Sequence, residues 1–198
     1  FAAILNQHGL ETVRDKSPKA KIFKRKTTKI KTFKILPKNP LIGLATNAFF
    51  KANKEQIHLI DNIRHNLGVD KIYVRLHPNS KIDTSKGFPE WLQFADKSEV
   101  LEDYINRIDV VVVGNSAVQL KLLCEGIPVI HIEGLDAFGF DLYGYCKSGF
   151  SYGVRNDVNK ISWADVQQFY KEETIQEKLY KYVNVKEDIT HLKEFSLK

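Results

Sequence analysis

The sequence predicts an α/β fold, a parallel β-sheet with helices on both faces, and three observations predict it. Short apolar runs, LIGLAT (41–46), KIYVRLHP (71–78), DVVVV (109–113) and PVIHI (128–132), alternate with segments of helical period. The runs are nearly continuous in their apolar residues rather than alternating, as in strands covered on both faces and joined by crossover helices. Two of them end in polar or glycine residues, His77-Pro78-Asn79 and Gly114-Asn115-Ser116. Parallel sheets bind ligands at the carboxyl ends of their strands, so both endings mark candidate binding positions.

Taken in order, AAILN (2–6) reads as the end of a strand and QHGLE as the turn after it. Residues 16–40 form a Lys-rich connector broken before Pro18, Pro37 and Pro40, which suits a linker. The expected organisation is therefore 1–15 as the end of a preceding domain, 16–40 as a basic linker, and 41–198 as a ligand-binding domain. After the strand at 41–46, Asn47 or Asn53 is a candidate cap for KEQIHLIDNIRHNLG (54–68). There Ile57, Ile60, Ile63 and Leu67 share a helix face, and Gly68 stops it. The strand at 71–78 leads into an irregular stretch, 79–97, with a short extended piece near Trp91–Phe94. Ser98 is the expected cap of SEVLEDYINRID, whose Val100, Leu101, Tyr104, Ile105 and Ile108 make a buried face. The strand at 109–113, a helix at 116–125 and the strand at 128–132 follow. Two Tyr- and Lys-rich helices are expected at 162–170 and 173–184.

Composition narrows the function classes. At 198 residues and 43% apolar content the chain can bury one good core. No apolar run approaches the roughly 20 residues that span a bilayer, and no secretory signal pattern occurs. Cys124 and Cys146 have neither a disulfide framework nor a metal spacing, and Cys124 lies in an apolar helix-like segment that suits a buried thiol. A cytoplasmic protein is expected. The sequence starts at Phe1 and holds no Met, so it is read as a C-terminal piece of a longer chain. The net charge of +6 is uneven. Residues 1–40 carry eleven Lys/Arg against Glu11 and Asp15, a net +9, which leaves −3 on the remaining 158. A solvated linker, contact with an anionic membrane through residues 16–38, and nucleic-acid binding are the three readings of that charge, in that order. Aromatic interleaving is thin and no nucleic-acid motif is present, so nucleic acid is not an expected partner.

Gly114-Asn115-Ser116 follows a strand and opens a helix, where free N–H groups and a hydroxyl can hold an anion. The plainer alternative is that Ser116 caps the helix and Gly114 turns the chain. Neither GxxxxGK[ST] nor GxGxxG occurs. Arg75 lies one strand period before His77, and Pro78 restricts the backbone after it. That would aim the His77 imidazole at a phosphate or at a proton in transfer, against the alternative of an ordinary loop histidine. His8, before Gly9 at a strand end, is a candidate base. Glu125 or Glu133 could accept hydrogen bonds from a ribose, and Asp136 and Asp141 lie in a Gly/aromatic loop that suits a ligand face or a packed turn. His58, His65 and His191 have no metal spacing and read as surface or structural residues.

The ordered set QHG, LHP, GNS and EGIPVI before a Gly/Asp/aromatic loop resembles bacterial surface-polysaccharide transferases of GT-B type, over residues 4–145. It is most similar to CDP-glycerol glycerophosphotransferases of teichoic acid synthesis, and similar also to capsular sialyltransferases and polysialyltransferases with His-Pro and Ser-Ser motifs. The resemblance implies two Rossmann-like domains facing across a cleft, with this chain supplying the C-terminal, donor-binding one. It places His8 as acceptor base, His77 on the donor phosphate, and Ser116 with neighbouring N–H groups as the phosphate seat. Arg75, Pro78, Gly114, Asn115, Ala117, Gln119, Glu133 and Asp136 are the further residues expected at the donor and phosphate site. Three departures stand out: Ala117 occupies the second Ser position, Lys121 stands where many GT-B enzymes place a Glu, and QHG replaces the WHGTP form. The implied partners are a CMP- or CDP-linked donor rather than a UDP-linked one, and a polysaccharide or lipid-linked acceptor. The implied reaction is transfer of a glycosyl or glycerophosphoryl group into a capsule or wall polymer on the inner face of the membrane. No cofactor is implied, and no DxD-like cluster calls for a catalytic metal. The alternatives are a nucleotide-sugar epimerase on the same fold, sharing the strand-end Ser and Gln119, and a non-catalytic membrane-docking nucleotide-binding module.

Overall fold

A computed structural model describes residues 29–85, 87–136, 138–155 and 158–184. Six parallel strands form a single sheet: β1 (Ile42–Ala45), β2 (Ile72–Arg75), β3 (Leu92–Phe94), β4 (Val110–Val113), β5 (Val129–Ile132) and β6 (Tyr152–Val154). The helices are α1 (Lys54–Asn66), α2 (Leu101–Arg107), α3 (Val118–Cys124), α4 (Trp163–Tyr170) and α5 (Glu173–Val183). The spatial order is β3-β2-β1-β4-β5-β6, so the chain winds outward from β1 on one side and restarts beside it at β4. This is the Rossmann-like, doubly wound order, and the α/β expectation holds. β1 aligns Ile42 with Ile72 on one side and with Val110 on the other, which brings the carboxyl ends of β1, β2 and β4 level. β1, β4 and β5 are buried along their whole length, as parallel strands covered on both faces must be.

Local signals explain most boundaries. Asn53, not Asn47, caps α1: its side chain accepts the Gln56 N–H at 2.9 Å, and the Gln56 side chain returns to the Asn53 N–H. Ile60 and Ile63 carry its buried face, and Gly68 at φ +62° ends it. Two expectations fail around α2. Ser98 does not cap it, because the Asp96 carboxylate takes both the Ser98 N–H (2.8 Å) and hydroxyl (2.6 Å), and the helix begins three residues later. Val100, expected on the buried face, is 54% exposed at the position just before the helix. β6 escaped the sequence reading altogether: it is three residues long with glycine in the middle, and only its pairing with β5 makes it a strand. Tyr170 closes that edge, its buried hydroxyl accepting the Val129 N–H at 3.0 Å and donating to the Val129 carbonyl at 2.7 Å.

Part of the basic segment is docked on the domain. Phe33 is 6% exposed and packs 4.6 Å from the Tyr170 ring. The Lys31 and Lys34 N–H groups donate to the carbonyls of Cys124 and Gly126 at 2.9 and 2.8 Å. The Lys34 ammonium donates to the Ile108 carbonyl at 2.6 Å, a cation at the carboxyl end of α2 where the helix dipole favours one. Glu125 ties the strap down through Lys31 at 2.6 Å and is itself paired with Lys121 of α3 at 2.6 Å. The Lys121 hydrogen bond first, and the Lys31 hydrogen bond next, hold its carboxyl below the usual glutamate range. A depressed folded value gives stabilisation that is complete above the unfolded pKa, about 4.3, and lost as pH falls through the lower folded one. Amide protection at Lys31 and Lys34 should therefore fall on acidification below about pH 4. The same measurement on Glu125→Gln should show no such step. No helix among the described residues is long and apolar enough to cross a membrane.

Candidate functional site

The carboxyl ends of β1, β2 and β4 converge where the winding direction switches, and a cleft of about 450 Å³ opens there. Thr46 and Asn47 leave β1, His77 and Pro78 leave β2, and Asn115 and Ser116 leave β4; all six line the cleft, as do Arg75 and Ala117. Thr46 organises the β2 side, its buried hydroxyl accepting the His77 N–H at 3.0 Å. The His77 ring is then held from below, because the Asn79 N–H donates to its Nδ1 at 3.1 Å. An accepting Nδ1 carries no proton, so the neutral ring bears its hydrogen on Nε2 as a donor. Arg75 projects from the last residue of β2, where Nε is buried without a hydrogen-bond partner. Among the described residues its guanidinium has no ion pair either. A cation left open in a cleft is a ready partner for an anion.

Asp136, in the loop after β5, binds the turn after β4 in place. It accepts hydrogen bonds from the Asn115 N–H, from Asn47 Nδ2 at 2.8 Å and from the Phe138 N–H at 2.9 Å. Gly114 makes this possible, since a Cβ there would overlap the Asp136 carboxylate. The close approach that glycine permits is thus taken by a protein side chain. Asn115 is 3% exposed and pins the loop beyond, donating to the Phe140 carbonyl at 2.9 Å and accepting the Leu142 N–H at 2.7 Å. Ser116 makes no side-chain cap bond to α3, whose cap position is Ala117, so its hydroxyl faces the cleft uncommitted among the described residues. Phe49, Phe138, Leu142 and Tyr143 make the apolar wall, with Phe49 and Phe138 edge to face at 5.4 Å.

Not every expected residue reaches this place. Gln119 is fully buried and spends its amide on Ser151 Oγ (2.5 Å) and on His131 Nδ1 (3.4 Å). Glu133 pairs with Arg155 at 3.1 Å beyond β5, and Glu125 with the two lysines already described. Pro78 lines the cleft, whereas Asp141 accepts three loop N–H groups, those of Tyr145, Cys146 and Lys147. His8 lies outside the described residues. Thr46 and Phe49 were not singled out from sequence, and Asn47 was read only as a candidate helix cap. Their only signal was position, directly after the first apolar strand.

No family model matches the chain, and no curated protein does. Among solved structures it is similar to the glycosyltransferase SnogD from Streptomyces nogalater, at 9% identity over 75% of this chain and 39% of that one, with a TM-score of 0.44. It is also similar to KpsC, a beta Kdo 2,4 transferase of Thermosulfurimonas dismutans, at 17% identity over 81% of this chain and 51% of that one, TM-score 0.42. A putative UDP-N-acetylglucosamine 2-epimerase from Listeria monocytogenes is similar at 10% identity over 97% of this chain and 53% of that one, TM-score 0.45. The chain thus spans between 39% and 53% of the length of these structures.

Proposed function

We propose that this chain is the donor-binding half of a GT-B-type transferase that moves a glycosyl or glycerophosphoryl group from a cytidine-linked nucleotide to a polysaccharide or lipid-linked acceptor. The observation that carries the reading is the open Arg75 cation beside the oriented His77 ring and the Ser116 hydroxyl, all in one cleft at the switch point. Its volume lies within the usual range for small-ligand sites, about 300–1,000 Å³. In this reading Arg75, His77 Nε2–H and Ser116 hold the donor phosphates, while the apolar wall of Phe49, Phe138 and Tyr143 takes the base or the transferred group. As the bond from donor phosphate to transferred group breaks, charge builds on the departing nucleotide, and those donors stabilise it. His8 takes the acceptor proton, and residues 1–15 belong to the facing domain. Within residues 16–38, the lysines other than the docked Lys31 and Lys34 contact the anionic inner face of the membrane.

Ser116 is one hydroxyl where the resembled family has two, and Ala117 offers only its N–H. Ser116→Ala should therefore weaken nucleotide binding by roughly 3- to 10-fold, the loss of about one hydrogen bond. The experiment is calorimetric titration of the 198-residue chain with CMP, CDP and UDP. Cytidine nucleotides should bind, and more tightly than UDP. Failure of all three to bind would end the donor-domain reading. The epimerase alternative drew in part on Gln119, and that side chain is committed to a buried network away from the cleft.

A further inference from the structure

Behind the cleft, a second group of side chains has donors suited to a metal ion. A ring nitrogen of His131, a carboxylate oxygen of Asp141 and the sulfur of Cys146 all lie within 4.8 Å of one another. The geometry points to a zinc site formed by His131, Asp141 and Cys146, which staples the loop after β5 to the sheet. This site stands independently of the transferase reading.

Four features of the surroundings support it. His131 is 1% exposed, and its Nε2 is buried with no hydrogen-bond partner. A buried ring nitrogen left without a partner is destabilising unless something binds it. The other ring nitrogen faces Gln119 Oε1 at 3.4 Å, and that amide is oriented by its own donation to Ser151. A carbonyl behind Nδ1 leaves the Nε2 lone pair for a ligand, the arrangement usual behind a metal-bound histidine. Asp141 is held by three backbone N–H groups, yet it has no ion pair among the described residues. Cys146 is given room by Gly153, where a Cβ would come within 3.0 Å of the sulfur, and Gly153 pairs in register with His131. Imidazole, carboxylate and thiolate are all zinc donors, and a fourth, solvent-derived ligand completes four-coordination. On binding, zinc replaces the thiol hydrogen, forming a Zn–S bond and releasing a proton to water. The staple would secure the loop that carries Asp136, Phe138, Leu142 and Tyr143 to the cleft.

Cobalt(II) is the probe, because a thiolate bound to it gives a near-ultraviolet charge-transfer band. The full chain, stripped with chelator, should develop that band with equimolar cobalt chloride and lose it on adding zinc chloride. Only two cysteines exist, so the assignment is clean. Cys146→Ser should abolish the band and Cys124→Ser should keep it. Gln119→Leu, which removes the carbonyl behind Nδ1, should weaken cobalt binding roughly 10- to 100-fold. If Cys146→Ser fails to fold, the native chain and Cys124→Ser still decide the matter. No band in the native chain, or a band that vanishes with Cys124→Ser, overturns the site.

Discussion

Gly43→Val should lower the thermal midpoint by about 6–12 °C, taking about 3 kcal/mol of overpacking at 2–4 °C per kcal/mol for a chain of this size. Strand propensity argues the other way, since valine in the middle of a central strand is favoured over glycine by up to about 1 kcal/mol. The structure decides between them. A Cβ on Gly43 would overlap the Tyr104 hydroxyl and come within 2.9 Å of Ile108 Cδ1. Both neighbours are fully buried. Tyr104 is further held by its hydroxyl, which donates to the Tyr73 carbonyl at 3.3 Å, and by stacking on the Tyr73 ring at 5.8 Å. β1 ends two residues later at Ala45 and leads directly into Thr46 and Asn47, so a displaced strand would also disturb the cleft. Gly43→Ala combined with Tyr104→Phe should be less destabilised than the sum of the two single variants, because the ring then lacks the atom that the new methyl meets. Thermal unfolding measures both, and a Gly43→Val midpoint at or above the native one refutes the packing argument.

Arg75→Gln should weaken cytidine nucleotide binding about 10- to 100-fold, the loss of a charge-assisted hydrogen bond worth about 1.5–3 kcal/mol. Stability should hardly change, because Arg75 makes no ion pair among the described residues and leaves Nε unsatisfied. This contrast separates a ligand role from a structural one. A structural arginine loses stability and affinity together; an anion-binding one loses affinity alone. Arg75→Lys should recover only part of the binding, since a single ammonium cannot reproduce the planar fork. Calorimetry with CDP and a thermal melt of the same sample test the claim, and equal affinity in Arg75→Gln and native protein removes Arg75 from the site.

The strands were legible because central parallel strands are written as continuous apolar runs, VVVV in β4 being the clearest. Helix α1 was legible through its spacing, its capping box and the glycine after it. β6 was not, since Tyr152–Val154 has no pattern of its own and becomes a strand only beside β5. At the site, the positions of His77 and Ser116 followed from the rule that parallel sheets bind at strand ends. Thr46 and Asn47 did not, because their partners lie 31 to 89 residues away. The three donors proposed for zinc follow no spacing motif; β5, β6 and the turn held by Asp141 bring them together.

By itself, then, the sequence determined the alternation of strand and helix, the parallel sheet and which strand ends carry the residues proposed for a ligand, all consequences of local periodicity. Only the tertiary structure decided how the polar residues there are divided. Asp136 and Gln119 are consumed by hydrogen bonds within the protein and Asn115 lines the cleft with its amide already committed, while Arg75, His77 and Ser116 line it without such commitments to the loop after β5. That division depends on which distant backbone or side-chain group lies within about 3 Å, a fact no spacing along the chain encodes.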